Sequence, residues 1–90
     1  MVTLHLAASS SLKEKRQVVR SLVARLRQRF NVAVAEVEEQ DSWQTVVLGL
    51  AVVSNEAGHA AQQVDRLVAA IERERLDVEV VDRYVDVISV

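Results

Sequence analysis

Ninety residues, 50% of them apolar, with a formal charge of -2, are enough for one domain around a single modest core and too few for two. The absence of cysteine excludes disulfides, thiolate metal ligands and a cysteine nucleophile. No stretch approaches the roughly 20 apolar residues of a membrane span, and the start lacks the basic region and apolar run of a secretory signal. The expectation is one cytoplasmic domain, residues 1–90, with no membrane contact and no cofactor.

In chain order, Val2, Leu4 and Leu6 alternate with Thr3, His5 and Ala7, the period of two of a strand packed on one side. Ser9 to Ser11 end it. Ser11 followed three residues later by Glu14 fits a capping box, and a helix is expected from there to about Arg29. Its apolar stripe is Leu12, Val19, Leu22, Val23, Leu26 and Phe30. A second extended region covers Val32 to Glu39, and Gln40, Asp41 and Ser42 connect it to a third, Trp43 to Val53, as a hairpin. Gly49, inside that third run, marks a weak point, a bulge or a close approach. Ser54 or Asn55 can cap a second helix from about Glu56 to Arg75, with Ala57, Ala60, Ala61, Val64, Leu67, Val68 and Ile71 on its apolar side. A last extended region, Asp77 to Val90, alternates in two phases around Asp82 and Arg83, as one bent strand or two short ones.

Strand, helix, strand, strand, helix, strand is the order of an α+β, ferredoxin-like βαββαβ sandwich, with two helices on one face of a four-stranded antiparallel sheet. The fold hosts enzymes, carriers, regulatory modules and nucleic-acid binders, so it does not choose a function.

Charge is sorted by element. Lys13, Lys15, Arg16, Arg20, Arg25, Arg27 and Arg29 face only Glu14 between Leu12 and Phe30, a segment of +6, while the other four bases and twelve acids leave the remainder at -8. Lys13, Arg16, Arg20 and Arg27 follow one 3.6-residue row, with Lys15 and Arg25 at its margins. Several bases on one rigid surface can contact successive phosphates and release counterions together. The competing explanation is an exposed face that keeps the helix solvated and pairs with acids elsewhere, although ordinary surface pairs contribute only about 0 to 1 kcal/mol.

Other chemistry finds less support. Only Phe30, Trp43 and Tyr84 are aromatic, and none lies in a strand run of the kind that stacks bases in single-strand RNA readers. Trp43 and Tyr84 are instead candidates for covering the sheet or for an interface. His5 and His59 sit in no ligand pattern, and Glu36, Glu38, Glu39 and Asp41 read as a solvated turn complementary to the basic helix. Ser9, Ser10 and Ser11 have no evident base, and no Gly-rich phosphate loop is possible with Gly49 and Gly58 alone.

The words Ser11-Leu12-Lys13-Glu14-Lys15-Arg16, Arg29-Phe30-Asn31-Val32, Ala35-Glu36-Val37, Gln40-Asp41-Ser42-Trp43-Gln44 and Val53-Ser54-Asn55, in this order, make the chain resemble the YlxP-like family of small bacterial proteins. The resemblance spans almost the whole chain, with fewer residues before the first strand than the family often has. It implies a ferredoxin-like fold without an assigned activity and, because the family's genes often lie among those for translation and ribosome maturation, a link to RNA. Two readings follow. One is a noncatalytic RNA-associated accessory protein that meets structured RNA or a ribosomal particle through Lys13, Arg16, Arg20 and Arg27. The other is a structural or regulatory interaction module, a homodimer included, that uses the long final extension with Trp43 or Tyr84.

Overall fold

The computed structural model describes residues 1–74 and 77–86. Strand β1 (Val2–Leu6) leads into helix α1 (Leu12–Arg29), strands β2 (Ala33–Glu38) and β3 (Thr45–Ala51), helix α2 (Ala57–Glu74) and strand β4 (Val78–Arg83). The strands form one antiparallel sheet in the order β2-β3-β1-β4, and both helices cover the same face. This is the ferredoxin-like arrangement that the element order implies.

The core follows from the two periodicities. Val2, Leu4 and Leu6 alternate inward from β1 and meet Val46 and Leu48 of β3, Val34 of β2 and Val78 of β4. Val19, Leu22 and Leu26 of α1 and Leu67, Val68 and Ile71 of α2 close over them. Thirteen residues form this cluster, none more than 9% exposed. At roughly 1.5 to 3 kcal/mol for each large aliphatic side chain, their burial is the main force assembling helices on sheet.

Local signals set the boundaries. Ser11 is the N-cap of α1: its hydroxyl accepts the Glu14 N–H at 3.1 Å. The return arm of the capping box lands one residue early, because the Glu14 carboxylate accepts from the N–H of Ser10 at 2.9 Å and from its hydroxyl. Before α2, the Ser54 hydroxyl accepts the Glu56 N–H at 3.2 Å, so Ser54 shapes the entry to that helix. At the β2–β3 turn Glu39 adopts φ 55, and its carbonyl accepts the Ser42 N–H.

Two irregularities bend the sheet. The β2–β3 register shifts between Glu36 and Glu38, so Val37 is the extra residue of a bulge. Val37 then leans over Gly49, where a Cβ would come within 2.7 Å of the Val37 Cγ1. The expected close approach at Gly49 is therefore a side chain of the neighbouring strand. The β1–β4 register shifts opposite Thr3 and Leu4, which makes Val81 the extra residue of β4. That bulge changes the phase of β4 at Val81, within Val78–Arg83. Main-chain bonds between Met1 and Tyr84 prolong the pairing past Arg83. The Val87 to Val90 part of the extension lies outside the described residues.

Candidate nucleic-acid interface on the first helix

At about 100° per residue, Lys13, Arg16, Arg20 and Arg27 fall within about 60° of one another around α1. All four are exposed. They lie away from the buried stripe of Val19, Leu22 and Leu26, so the helix presents them on its solvent side while those apolar residues hold its orientation. Lys13, Arg16 and Arg20 have no ion pair or hydrogen bond to the described residues. Arg27 does: its Nη2 donates to the Val34 carbonyl at 2.7 Å. Val34 belongs to β2, an edge strand, and the next inward-phase carbonyl of that strand, Glu36, accepts from the Gln40 side chain at 3.3 Å. The guanidinium of Arg27 thus closes part of a sheet edge, and three cations of the row remain free.

Lys15 is not a marginal member of the basic surface. It is only 1% exposed, and its Nζ sits 2.8 Å from Glu36 Oε2 and donates to the Glu39 carbonyl at 2.6 Å. The Glu36 contact lacks the geometry of a hydrogen bond and is an ion pair, whereas the Glu39 contact is a directed hydrogen bond. This buried cation ties α1 to β2 and to the left-handed turn residue that follows it. The sequence contains a signal for it: Lys15 stands four residues before Val19 and seven before Leu22, in the gap of the apolar stripe after Leu12. Glu36 correspondingly occupies the inward phase of β2, two residues after Val34.

Elsewhere on α1, Arg29 pairs with Glu74 of α2, and its guanidinium carbon lies 5.8 Å from the Phe30 ring centroid. Arg25 is exposed about 120° around the helix from Lys13 and cannot share a phosphate track with the row.

Trp43 and Tyr84 are 56% and 65% exposed and belong to no common patch. Tyr84 follows Arg83, which pairs with Val2 at the start of β1, whereas Trp43 precedes Thr45, which pairs with His5 at its end. The register therefore separates them by the length of β1. Around Tyr84, Met1, Val81 and Val85 are also exposed.

Among the described residues, those considered for catalysis are not brought together into a reaction centre. Ser9 is buried and its hydroxyl donates to the Ser11 carbonyl at 3.3 Å. His59 Nδ1 lies 3.2 Å from Ser54 Oγ, but among the described residues no third group orients the imidazole. His5 lies in β1 with its side chain on the sheet face away from the helices. No group of three or more His, Asp or Glu able to hold a metal ion occurs among the described residues, and no helix there is long and apolar enough to cross a membrane.

Comparison with known proteins adds kinship without activity. Residues 1–85 match the family described as "Protein of unknown function (DUF503)". The chain is also similar to the uncharacterized protein YlxP of Bacillus subtilis (strain 168), at 36% identity over 64 residues, which cover 71% of this chain and 70% of that protein.

Proposed function

Since the chain belongs to the YlxP/DUF503 family of uncharacterized small bacterial proteins, we propose a function from its own surface: a noncatalytic, cytoplasmic accessory protein that docks on structured RNA through α1. The observation that carries this reading is the exposed row of Lys13, Arg16 and Arg20, whose charges have no protein partner among the described residues. A solvated helix needs no such one-sided row, and a chain of net charge -2 gains attraction for a polyanion only by concentrating its cations. The translation setting of the family's genes points to a ribosomal particle as the RNA. Arg27 is proposed as a dual contact that approaches phosphate from its anchor on Val34. A row of this kind follows a backbone and reads no bases, so binding depends on the shape of the RNA and little on its sequence.

The test is equilibrium binding to ribosomal particles and to structured RNA at several salt concentrations, comparing the native protein with a Lys13→Glu, Arg16→Glu, Arg20→Glu variant. Loss of affinity and of salt dependence in the variant is expected. Equal weak binding by both proteins would sink the reading.

A second reading rests on the two sheet edges. On β2, Arg27 and Gln40 occupy main-chain carbonyls, a device that hinders strand addition. On β4, the described residues show no such cover of main-chain groups, and exposed Val81, Tyr84 and Val85 follow the edge. A second copy adding there would form a homodimer. Sedimentation over a wide concentration range, repeated after removal of Tyr84 to Val90, checks it: a native monomer at every concentration excludes the dimer.

A further inference from the structure

The sheet has a second face, away from both helices, and among the described residues no element covers it. The outward phase of the two central strands carries no Asp, Glu, Lys or Arg: it reads Thr3 and His5 on β1, and Thr45, Val47, Gly49 and Ala51 on β3. An antiparallel sheet with one face in water ordinarily alternates apolar inward and polar outward, and these strands do not. Both bulges add to the same face. Val37 leans over Gly49, and Val81 follows the inward-facing Val80, so each edge strand contributes an extra half-exposed valine. Val47 is only 5% exposed, which leaves the middle of the face filled by its own side chains and free of any cavity for a small ligand. A flat apolar surface of this kind fits another sheet.

The register specifies which sheet. Ala35 pairs with Gly49, Val2 pairs with both Leu48 and Arg83, and two main-chain bonds join Met1 to Tyr84. Ala35, Gly49, Met1 and Tyr84 therefore lie in one row across the four strands. The row is low at the β2 edge, where exposed Ala35 has Ala33 and Ala51 beside it, and high at the β4 edge, where Tyr84 is 65% exposed. A two-fold axis parallel to the strands, midway between β3 and β1, exchanges the two edges and sets Tyr84 of one copy on Ala35 of another. The face is thus complementary to itself, as an isologous interface requires. Its area also suffices. Four strands about 4.8 Å apart and about five residues deep, with the relief of their side chains, offer roughly 600 to 800 Å² a copy, and specific interfaces bury about 1,200 to 2,000 Å² in total.

We propose that two copies of this chain stack sheet on sheet through their outward faces, with Tyr84 of each on Ala35 of the other and both α1 rows on the outside of the dimer. Strand addition at β4 is a different assembly, since it extends the sheet edgewise and leaves Ala35 in water. The two-fold axis also brings Glu38 toward the second copy's Asp82 at the corners, where both are exposed. Added salt screens that repulsion, so it tightens the dimer.

The experiment is sedimentation equilibrium of the RNA-free full chain from about 1 µM to 1 mM, at low and high salt. A monomer–dimer equilibrium with Kd of about 1 to 100 µM is expected, tighter at high salt. Ala35→Glu and Ala35→Lys, at an exposed outward position, should each weaken it by about tenfold or more while leaving the amide spectrum of the dilute protein otherwise unchanged. In the ¹⁵N-labelled native chain, the amide shifts that change with concentration should include Thr3, Ala35 and Val47 and spare α1. A monomer at every concentration overturns the proposal. So does a dimer that survives both Ala35 substitutions, which is the result strand addition at β4 predicts. Weakening by only one of the two charges, or dissociation as salt rises, would show a charged contact in place of apolar stacking and overturns it too. RNA binding is absent from these measurements, so the dimer and the RNA reading stand or fall separately.

Discussion

Lys15 shows how one residue converts a surface-like sequence into a structural lock. A lysine side chain taken fully out of water loses its hydration, and only the directed bond to the Glu39 carbonyl and the opposite charge of Glu36 make that position tolerable. Removing one partner leaves the other buried and uncompensated. Lys15→Ala should therefore lower unfolding stability by about 3 to 5 kcal/mol, a large part of what a small domain has. Replacing both charges, as Lys15→Met with Glu36→Leu, should recover most of that loss, since the Glu39 carbonyl still accepts the Ser42 N–H at 3.1 Å. Urea denaturation of the single and double variants checks both statements, and a double variant no more stable than Lys15→Ala would show that the pair is not the cause. The gap in the apolar stripe made the inward position of Lys15 readable, but not its partners. Those depend on a left-handed Glu39 and on the β2 bulge, which bring residues more than twenty positions apart to one point, and no local pattern encodes that meeting. Arg27 was likewise readable as exposed and not as a clamp on Val34, because only the strand order makes β2 an edge.

Among the elements, the period of two in β1 and the 3.6-residue stripes of α1 and α2 were enough to place strands and helices, because each alternation had one apolar answer. The irregular strands were harder. Bulges at Val37 and Val81 insert a residue without any marker of composition, and they appear in sequence only as a change of phase. The Val37 bulge has an energetic partner in Gly49, whose missing side chain makes room for the Val37 methyl group. Gly49→Ala should cost about 1 to 2 kcal/mol, less than a clash in the deep core, because Val37 is partly exposed and can shift. In a Val37→Ala background the same change should be close to neutral, or stabilising by about 0.4 to 1 kcal/mol, since alanine restricts the unfolded chain more than glycine does. A double-mutant cycle measured by thermal or urea unfolding reads the coupling directly, and additive losses would mean that Val37 is not what the glycine accommodates.

Across the whole molecule, the charge that stands out in the sequence divides into four uses. Lys15 is spent in the interior on Glu36, Arg29 bridges the helices to Glu74, and Arg27 closes an edge at Val34. Lys13, Arg16 and Arg20 are left to act together on an external partner, while Arg25 points away from them. A +6 segment therefore behaves toward RNA as a surface of about three cooperating charges, a difference that salt can measure. Each neutralised phosphate contributes about 0.7 to 0.9 to the slope of log binding constant against log salt, so three contacts, or four when Arg27 joins them, give a slope of about -2 to -4, whereas all seven bases of the segment would give about -5 to -6. A slope in the lower range is the expected outcome for the native protein on structured RNA. Lys15→Met with Glu36→Leu should leave that slope unchanged, because a buried ammonium reaches no phosphate and so displaces no counterion from the RNA, while Arg16→Gln should reduce it by about 0.7 to 0.9. A native slope near -5, or a slope that falls when the buried pair is removed, would mean that helix α1 opens its inner face to RNA and that the resting arrangement of Lys15 is not the one that binds.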